Sequence, residues 1–230
     1  MKNIDLNLQH RQKPSKIDLV SKLIELFSAN TPNGKKISIM LEEIKYDYKV
    51  TKIDIDKGEQ FSSDFKKISP FSKIPVLVDH ANKKNVFESG AILIYLAEVS
   101  GKFYNESDRL EINQWLMAQM GYIGPMLGQH HQFHHYNPGK SKFGEERYFK
   151  ISKRIYSELD QRLSNSKFLA GNNYTIADIA TFPWIARHEW HDIGLGNYKN
   201  LSRWYNEISK REAVIKGFAF MRENELPPKI

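Results

Sequence analysis

The sequence predicts an α/β unit followed by an all-helical unit. Two observations carry this. Up to about residue 100, short apolar runs alternate with stretches of helical spacing, whereas beyond Asp108 strand signals nearly vanish and helical spacing continues. The chain's 230 residues are also enough for one large domain or two small ones around a sizeable core.

Residues 1–21 read as a polar N-terminal arm with little to bury. "LIELFS" (23–28) is a short strand that breaks at Thr31-Pro32-Asn33-Gly34. After it Ile37, Met40, Leu41 and Ile44 fall at i, i+3, i+4, i+7, one face of a helix. The alternation in "YKVTKID" (48–54) predicts a second strand, parallel to the first through a right-handed crossover. "FSSDFKKI" (61–68) is a short helical piece, "PVLVD" (75–79) and "NVFE" (85–88) are compact strands, and Ile92, Tyr95, Leu96 and Val99 restore helical spacing. This order, βαβ, short helix, ββα, is that of a thioredoxin-like unit, placed at 22–102. A polar turn from Gly101 to Asp108 links it to a helical domain at 108–222. The periodic stretches there are "LEINQWLMAQM", Tyr148, Ile151, Ile155 and Leu159, "IADIATFPWIA" and "LSRWYNEI". In "YTIADIA", Thr175 and Asp178 have the spacing of a capping box, and replacing either with Ala is expected to cost about 1 kcal/mol or somewhat more.

The formal charge is +7 and the pI about 9.3, yet Lys and Arg are interleaved with Asp and Glu, as in "LEEIKYDYKVTKIDIDKGE". Without a basic stripe bearing aromatics, nucleic acid is not an expected partner. No run approaches the roughly 18 apolar residues of a membrane span, and the start lacks the continuous apolar block of a secretory signal. A cytoplasmic protein with no membrane partner is the expectation. The chain has no cysteine, which excludes disulfides, thiolate metal sites and a Cys nucleophile. Any thiol chemistry here needs a thiol brought in by a ligand.

Three stretches bear chemistry. Where strand hands over to helix, unpartnered N–H groups and the helix dipole favour an anion or a thiolate, and Thr31 and Asn33 offer hydrogen bonds without titrating near neutral pH. The plainer reading is a turn with a cap. In "SKIPVL" (72–77) a cis Ile74-Pro75 bond would expose the backbone of Ile74 to an extended peptide, while a trans bond would merely start the strand. In "FESGAIL", Ser89 is expected to cap a helix with its N–H facing an anion, and Glu88 to accept from an ammonium; simple capping is the alternative. Together these suit a small thiol peptide. In "GQHHQFHHYNP" the pairs His130/His134 and His131/His135 are spaced i, i+4, as in some metal sites. The cluster contains no Cys or acidic residue, and no metal is expected.

The combination of "TPNGKKISIMLEE", "KGEQF", "ISPFSKIPVLVDH", "FESGAILIYLAE", "GPMLGQHHQFHH" and "YTIADIA" resembles the glutathione transferase superfamily over residues 23–215. It is most like the bacterial nu-class disulfide-bond oxidoreductase branch, relatives of the yeast nitrogen-regulator prion protein. The resemblance implies that the second half is an all-α glutathione-transferase C-terminal domain and that glutathione, reduced or oxidised, is the co-substrate. Thr31 and Asn33 match the loop facing the sulfur and would be catalytic; Gln60, Lys73, Ile74, Pro75, Glu88, Ser89 and Arg147 would bind the tripeptide along with Asn33. His130, His131 and His134 would line the substrate cleft. Relatives often read Gly-Gly-Gln-Phe where this chain has Gly58-Glu59-Gln60-Phe61, so Glu59 adds a negative charge beside an anionic ligand. The implied activity is thiol–disulfide exchange with bound glutathione, acting on a small disulfide, in a two-fold homodimer. Two alternatives stand beside it: a transferase or peroxidase acting on hydrophobic electrophiles, with Ser28 as the thiol's helper, and a catalytically weak glutathione-binding regulatory module.

Overall fold

A computed structural model describes residues 24–230; the polar arm assigned to 1–21 lies outside the described residues. The N-terminal domain is thioredoxin-like. Strands β1 (Ile24–Ser28), β2 (Tyr48–Lys52), β3 (Val76–Asp79) and β4 (Lys84–Phe87) form one sheet in the order β2-β1-β3-β4. β2 runs parallel to β1, while β3 and β4 are antiparallel. The register sets Leu26 opposite both Val50 and Leu77. β1 alternates across the sheet: Leu26 joins the main core, while Phe27 joins a smaller cluster formed by Ile53, Phe65 and Val76.

Helix α1 (Pro32–Ile44) follows β1 and buries the face the spacing predicted, with Ile37, Met40 and Leu41 fully enclosed. It stops at Lys45, whose φ of 59° is a left-handed terminus. α2 (Ser63–Ile68) is shorter than the predicted helical piece, because Glu59–Phe61 forms a separate 3-10 turn before it. α3 (Ser89–Ser100) buries Ile92, Leu93 and Leu96 and ends at Gly101 with φ of 68°.

The second half is helical, as its spacing predicts: α4 (Arg109–Ala118), α5 (Gly124–His130), α6 (Lys142–Ser164), α7 (Ile176–Ile185), the short α8 (His188–His191), α9 (Lys199–Ser209) and α10 (Glu212–Phe218). Two single turns of π-helix, Gln119–Ile123 and His131–Tyr136, interrupt this series. α1 packs against α3, α7 and α10, so one apolar core runs from the sheet into the helical domain. The contact of α1 with α10 is close enough that a Cβ on Gly217 would lie 2.7 Å from the backbone of Ile39. Arg211 clamps the same junction by a two-pronged bridge to Glu43, at 2.5 and 2.8 Å, with its guanidinium 4.1 Å above the Tyr174 ring.

Candidate functional site

The β1–α1 loop is fixed by its own chemistry. Thr31 has extended backbone (φ −126°, ψ 161°) and its hydroxyl oxygen accepts from the Gly34 N–H at 3.1 Å, a helix cap with Pro32 opening the helix. The Thr31 hydroxyl proton remains free to donate. At Gly34 a Cβ would meet Ser28 Oγ at 2.4 Å and the Ala29 carbonyl at 2.5 Å, so only glycine allows α1 to begin this close to the end of β1. Behind the loop, Glu225 of the C-terminal tail pairs with Lys35 and accepts from Asn30 Nδ2 at 2.8 Å. Burial lowers the Lys35 ammonium to about 8, against the upward pull of Glu225.

Asn33 is oriented from the helical domain. The Trp184 indole N–H donates to Asn33 Oδ1 at 3.1 Å, which fixes the amide and leaves Nδ2 as a donor for a ligand. Nothing in the sequence pattern marks Trp184, an aromatic in an apolar run after Pro183. Asn33 borders three adjoining hollows. The first is also lined by Lys73, Ile74, Pro75, Glu88 and Ser89; the second adds Lys36 and Gln119; the third adds Thr31, His131, Tyr136, Trp184 and Trp190.

On the far side of the first hollow the Ile74-Pro75 peptide bond is cis. The Ile74 backbone has no hydrogen-bond partner among the described residues. The preceding turn is held by Ser69, whose hydroxyl donates to the Lys73 carbonyl at 2.8 Å and accepts from the Lys73 N–H at 3.0 Å.

The start of α3 differs from the sequence expectation at one residue. Ser89 is not the cap: Glu88 holds that position, with φ of 69°, and Ser89 is the first helical residue. The positive φ at Glu88 advances the helix by one position, so the Ser89 side chain turns inward instead of back onto the helix end. The N–H groups of Ser89, Gly90 and Ala91 have no partner among the described residues, and the first helical bond is Ile92 N–H to the Glu88 carbonyl at 2.9 Å. Exposed Glu88 and the free N–H groups place a negative charge beside an anion site.

Other expected residues are not among those lining the three hollows. Gln60 does not line these hollows; its amide donates to the Ile55 carbonyl at 3.2 Å. Arg147 is exposed on α6 and lines a separate shallow hollow with Phe143 and Lys150. Ser28 is fully buried and its hydroxyl donates to the Ala29 carbonyl, which removes it from the cleft as a helper for a thiol.

The histidines separate. His130 is fully buried, donates its Nε2–H to the His191 carbonyl at 3.0 Å, and stacks on His134 with ring centres 4.7 Å apart. His131 alone of the cluster lines the third hollow, stacked between His191 at 4.8 Å and Trp184 at 6.0 Å. His131 and His135 both pack on the Trp190 ring, with ring centres 5.4 and 4.0 Å from it, and the turn from His131 to Tyr136 is π-helical. Among the described residues no group of His, Cys, Asp and Glu could hold a metal ion. None of the helices described is long and apolar enough to cross a membrane.

A thioredoxin-like sheet, a helical second domain and a cleft between them in which two helix N-termini face an unpaired backbone edge define a class of proteins built to hold a small peptide. Comparison with known proteins agrees. The family model for the glutathione S-transferase N-terminal domain matches residues 23–98, and that for the C-terminal domain matches 130–212. The chain is 44% identical to the disulfide-bond oxidoreductase YfcG of Escherichia coli over 84% of this chain and 93% of that protein. It is 38% identical to the disulfide-bond oxidoreductase YghU of the same organism, covering 87% and 76%. A solved glutathione transferase from Pseudomonas putida, with one glutathione disulfide bound per subunit, superposes with a TM-score of 0.81 at 38% identity, covering 90% and 94%. The chain belongs to the glutathione transferase family.

Proposed function

We propose that the protein is a glutathione-dependent disulfide-bond oxidoreductase, and that a thiolate of bound glutathione does the chemistry that no cysteine of this chain can do. The observation that supports this best is the meeting of the three hollows at Asn33, whose amide is turned by Trp184 so that Nδ2 faces the cleft. The tripeptide lies with its cysteinyl backbone along Ile74, its γ-glutamyl end at Glu88 and Ser89, and its sulfur at the start of α1. Thr31 Oγ1 and Asn33 Nδ2 then donate to the sulfur, and the helix terminus adds its partial positive charge.

The thiolate attacks one sulfur of a substrate disulfide in the third hollow. The S–S bond breaks, a mixed disulfide forms, and the departing thiolate takes a proton. A second glutathione thiolate attacks the mixed disulfide, releasing glutathione disulfide and the second substrate thiol. Lowering the thiol pKa by one unit, about 1.4 kcal/mol, raises the thiolate fraction at pH 7 nearly tenfold. The aromatic rings of Tyr136, Trp184 and Trp190 give the third hollow the apolar lining for the substrate's body, and His131 lies at its wall.

In this reading Gln60 and Arg147 contact glutathione only after a loop or a neighbouring subunit brings them there. A two-fold homodimer is part of the proposal: Leu110 and Met117, seven residues apart on one face of α4, are 75% and 51% exposed. A reducing, glutathione-rich cytoplasm is the compartment that suits the reaction.

Two experiments test the proposal. With hydroxyethyl disulfide and glutathione, Asn33→Ala is expected to lower kcat about 100-fold, the range for a lost oxyanion-type donor, with folding little changed, and Thr31→Ala about 10-fold together with about 1 kcal/mol of stability from its lost helix cap. Full activity in both variants would sink it, and faster turnover of a chlorinated aromatic or an organic hydroperoxide than of the disulfide would favour the transferase or peroxidase reading. Trp184→Phe keeps the ring but removes the N–H that orients Asn33. Its kcat should fall several-fold while the KM for glutathione stays near that of the parent protein. A variant with unchanged kcat would show that Asn33 finds its orientation without the indole.

A further inference from the structure

Lys36 is a cation that neither the fold nor the mechanism above accounts for. The residue is 1% exposed, early in α1, among Ile37, Met40 and Leu41. Its ammonium donates to Gln119 Oε1 at 2.7 Å and to Ser89 Oγ at 3.3 Å, and lies 3.8 Å from Met120 Sδ. No carboxylate among the described residues forms a salt bridge with it, although the buried ammonium next to it in sequence, Lys35, is matched by Glu225. Burial presses its pKa well below the ordinary lysine value, and only the more distant charge of Glu88 pulls the other way.

The local dipoles aggravate this. Lys36 is near the N-terminal end of α1 and touches the first residue of α3, and both helix ends carry partial positive charge. A buried ammonium between two such ends is stable only with an anion nearby. The place for that anion is the second hollow, where Lys36, Gln119 and Ser89 meet at the start of α3, a helix end whose first N–H groups have no partner among the described residues. Gln119 Nε2, also buried, has no partner among the described residues either.

We propose that Lys36 is the positioning residue for the α-carboxylate at the γ-glutamyl end of glutathione, holding the Ser89 hydroxyl and Gln119 in place and supplying the charge against which that carboxylate is seated. The inference rests on the glutathione reading and extends it: Gln119 lies on the π-turn between α4 and α5, so the carboxylate seat joins both domains. Ligands that lack this carboxylate gain nothing from Lys36, so its replacement leaves their affinity unchanged.

The test compares ligands on one variant. Binding is measured by calorimetry for glutathione, for 4-aminobutanoyl-cysteinylglycine, which lacks only the α-carboxylate, and for glutaryl-cysteinylglycine, which lacks only the ammonium. Lys36→Met and Lys36→Gln should each bind glutathione and the glutaryl analogue about 30-fold more weakly than the parent protein, as for a buried charge partner removed. Their affinity for the aminobutanoyl analogue should stay within about threefold, and in turnover the loss should fall on the KM for glutathione rather than on kcat. A partly unfolded variant would lose both ligands by the same factor and could not produce this selectivity. Equal losses for glutathione and the aminobutanoyl analogue, or no loss for either, would overturn the role of Lys36. Failure of the parent protein to bind glutathione at all would overturn the glutathione reading with it.

Discussion

Asp178→Ala is expected to remove about 4 kcal/mol or more of stability, a large share of the roughly 5–15 kcal/mol that holds a domain folded. The capping box read from "YTIADIA" is present, with the Thr175 hydroxyl accepting from Ala177 N–H at 3.3 Å and Asp178 Oδ2 accepting from Thr175 N–H at 3.0 Å. A cap alone is worth about 1 kcal/mol. Asp178 does more than cap, because it is fully buried and its other oxygen, Oδ1, accepts from Leu169 N–H at 2.9 Å and from the Trp204 indole N–H at 2.9 Å. It ties together the start of α7, the loop after α6 and the middle of α9. Truncation leaves the Leu169, Thr175 and Trp204 donors buried without acceptors, at about 1–3 kcal/mol each. Asp178→Asn, which keeps one oxygen, should cost about half as much. Urea unfolding of the three proteins checks this, and a loss below about 1 kcal/mol for Asp178→Ala would reduce the residue to an ordinary cap.

The contrast between that cap and the tie it makes to Trp204 shows what the sequence could reveal. Capping boxes, helical periodicity and the Thr31–Gly34 turn are local, set by side chains within a few residues of one another, so α1, α3, α7 and the sheet strands were legible within a residue or two. The exceptions are also local in origin: a positive φ at Glu88 moved the start of α3, and a π-turn follows His130, although the His130 and His134 rings still stack as their spacing predicts. The contacts that complete the site span long separations. Trp184 reaches Asn33, and Glu225 reaches Lys35, across segments whose spacing carries no periodic signal. Lys36 did leave a trace. It lies four residues before Met40 on the apolar face of α1, and a lysine on such a face marks a buried charge. Gln60 and Arg147 were named through resemblance alone, and neither lines the hollows around Asn33.

Acidification should destabilise the protein before most of its carboxylates titrate, because of the histidines enclosed between α5, α7 and α8. Burial lowers the pKa of His130, His131, His188 and His191, that of His131 to about 3, with His191 further opposed by its histidine neighbours and Arg187. The ring nitrogens His130 Nδ1, His131 Nε2, His188 Nε2 and His191 Nε2 are buried without partners among the described residues, so an added proton would find no acceptor. The Tyr156 hydroxyl lies 2.6 Å from His191 Nδ1 and keeps its own proton, since burial raises its pKa. These groups bind protons in the unfolded chain below about pH 6.5 and refuse them in the folded one, so their stabilisation is full above pH 6.5 and is lost progressively as pH falls toward their folded values. For His131 alone the loss at pH 5 is about 2 kcal/mol. Asp178 opposes it, since burial raises its carboxyl to about 6 and it gains stability by taking up a proton as pH falls through that value. One carboxyl offsets only one of several histidines. The carboxylates held below their ordinary range, such as Asp79 and Glu225, lose their contribution only at lower pH, leaving the window from pH 6.5 to 5 to the histidines and Asp178. Stability measured by urea unfolding should therefore fall by 2 kcal/mol or more, to within about 1, between pH 7 and pH 5, and His131→Phe should flatten that slope by about one proton. A flat profile in the parent protein would mean that these rings accept protons inside the fold, and the packing of His131 between His191 and Trp184 would then have to open at the rim of the third hollow.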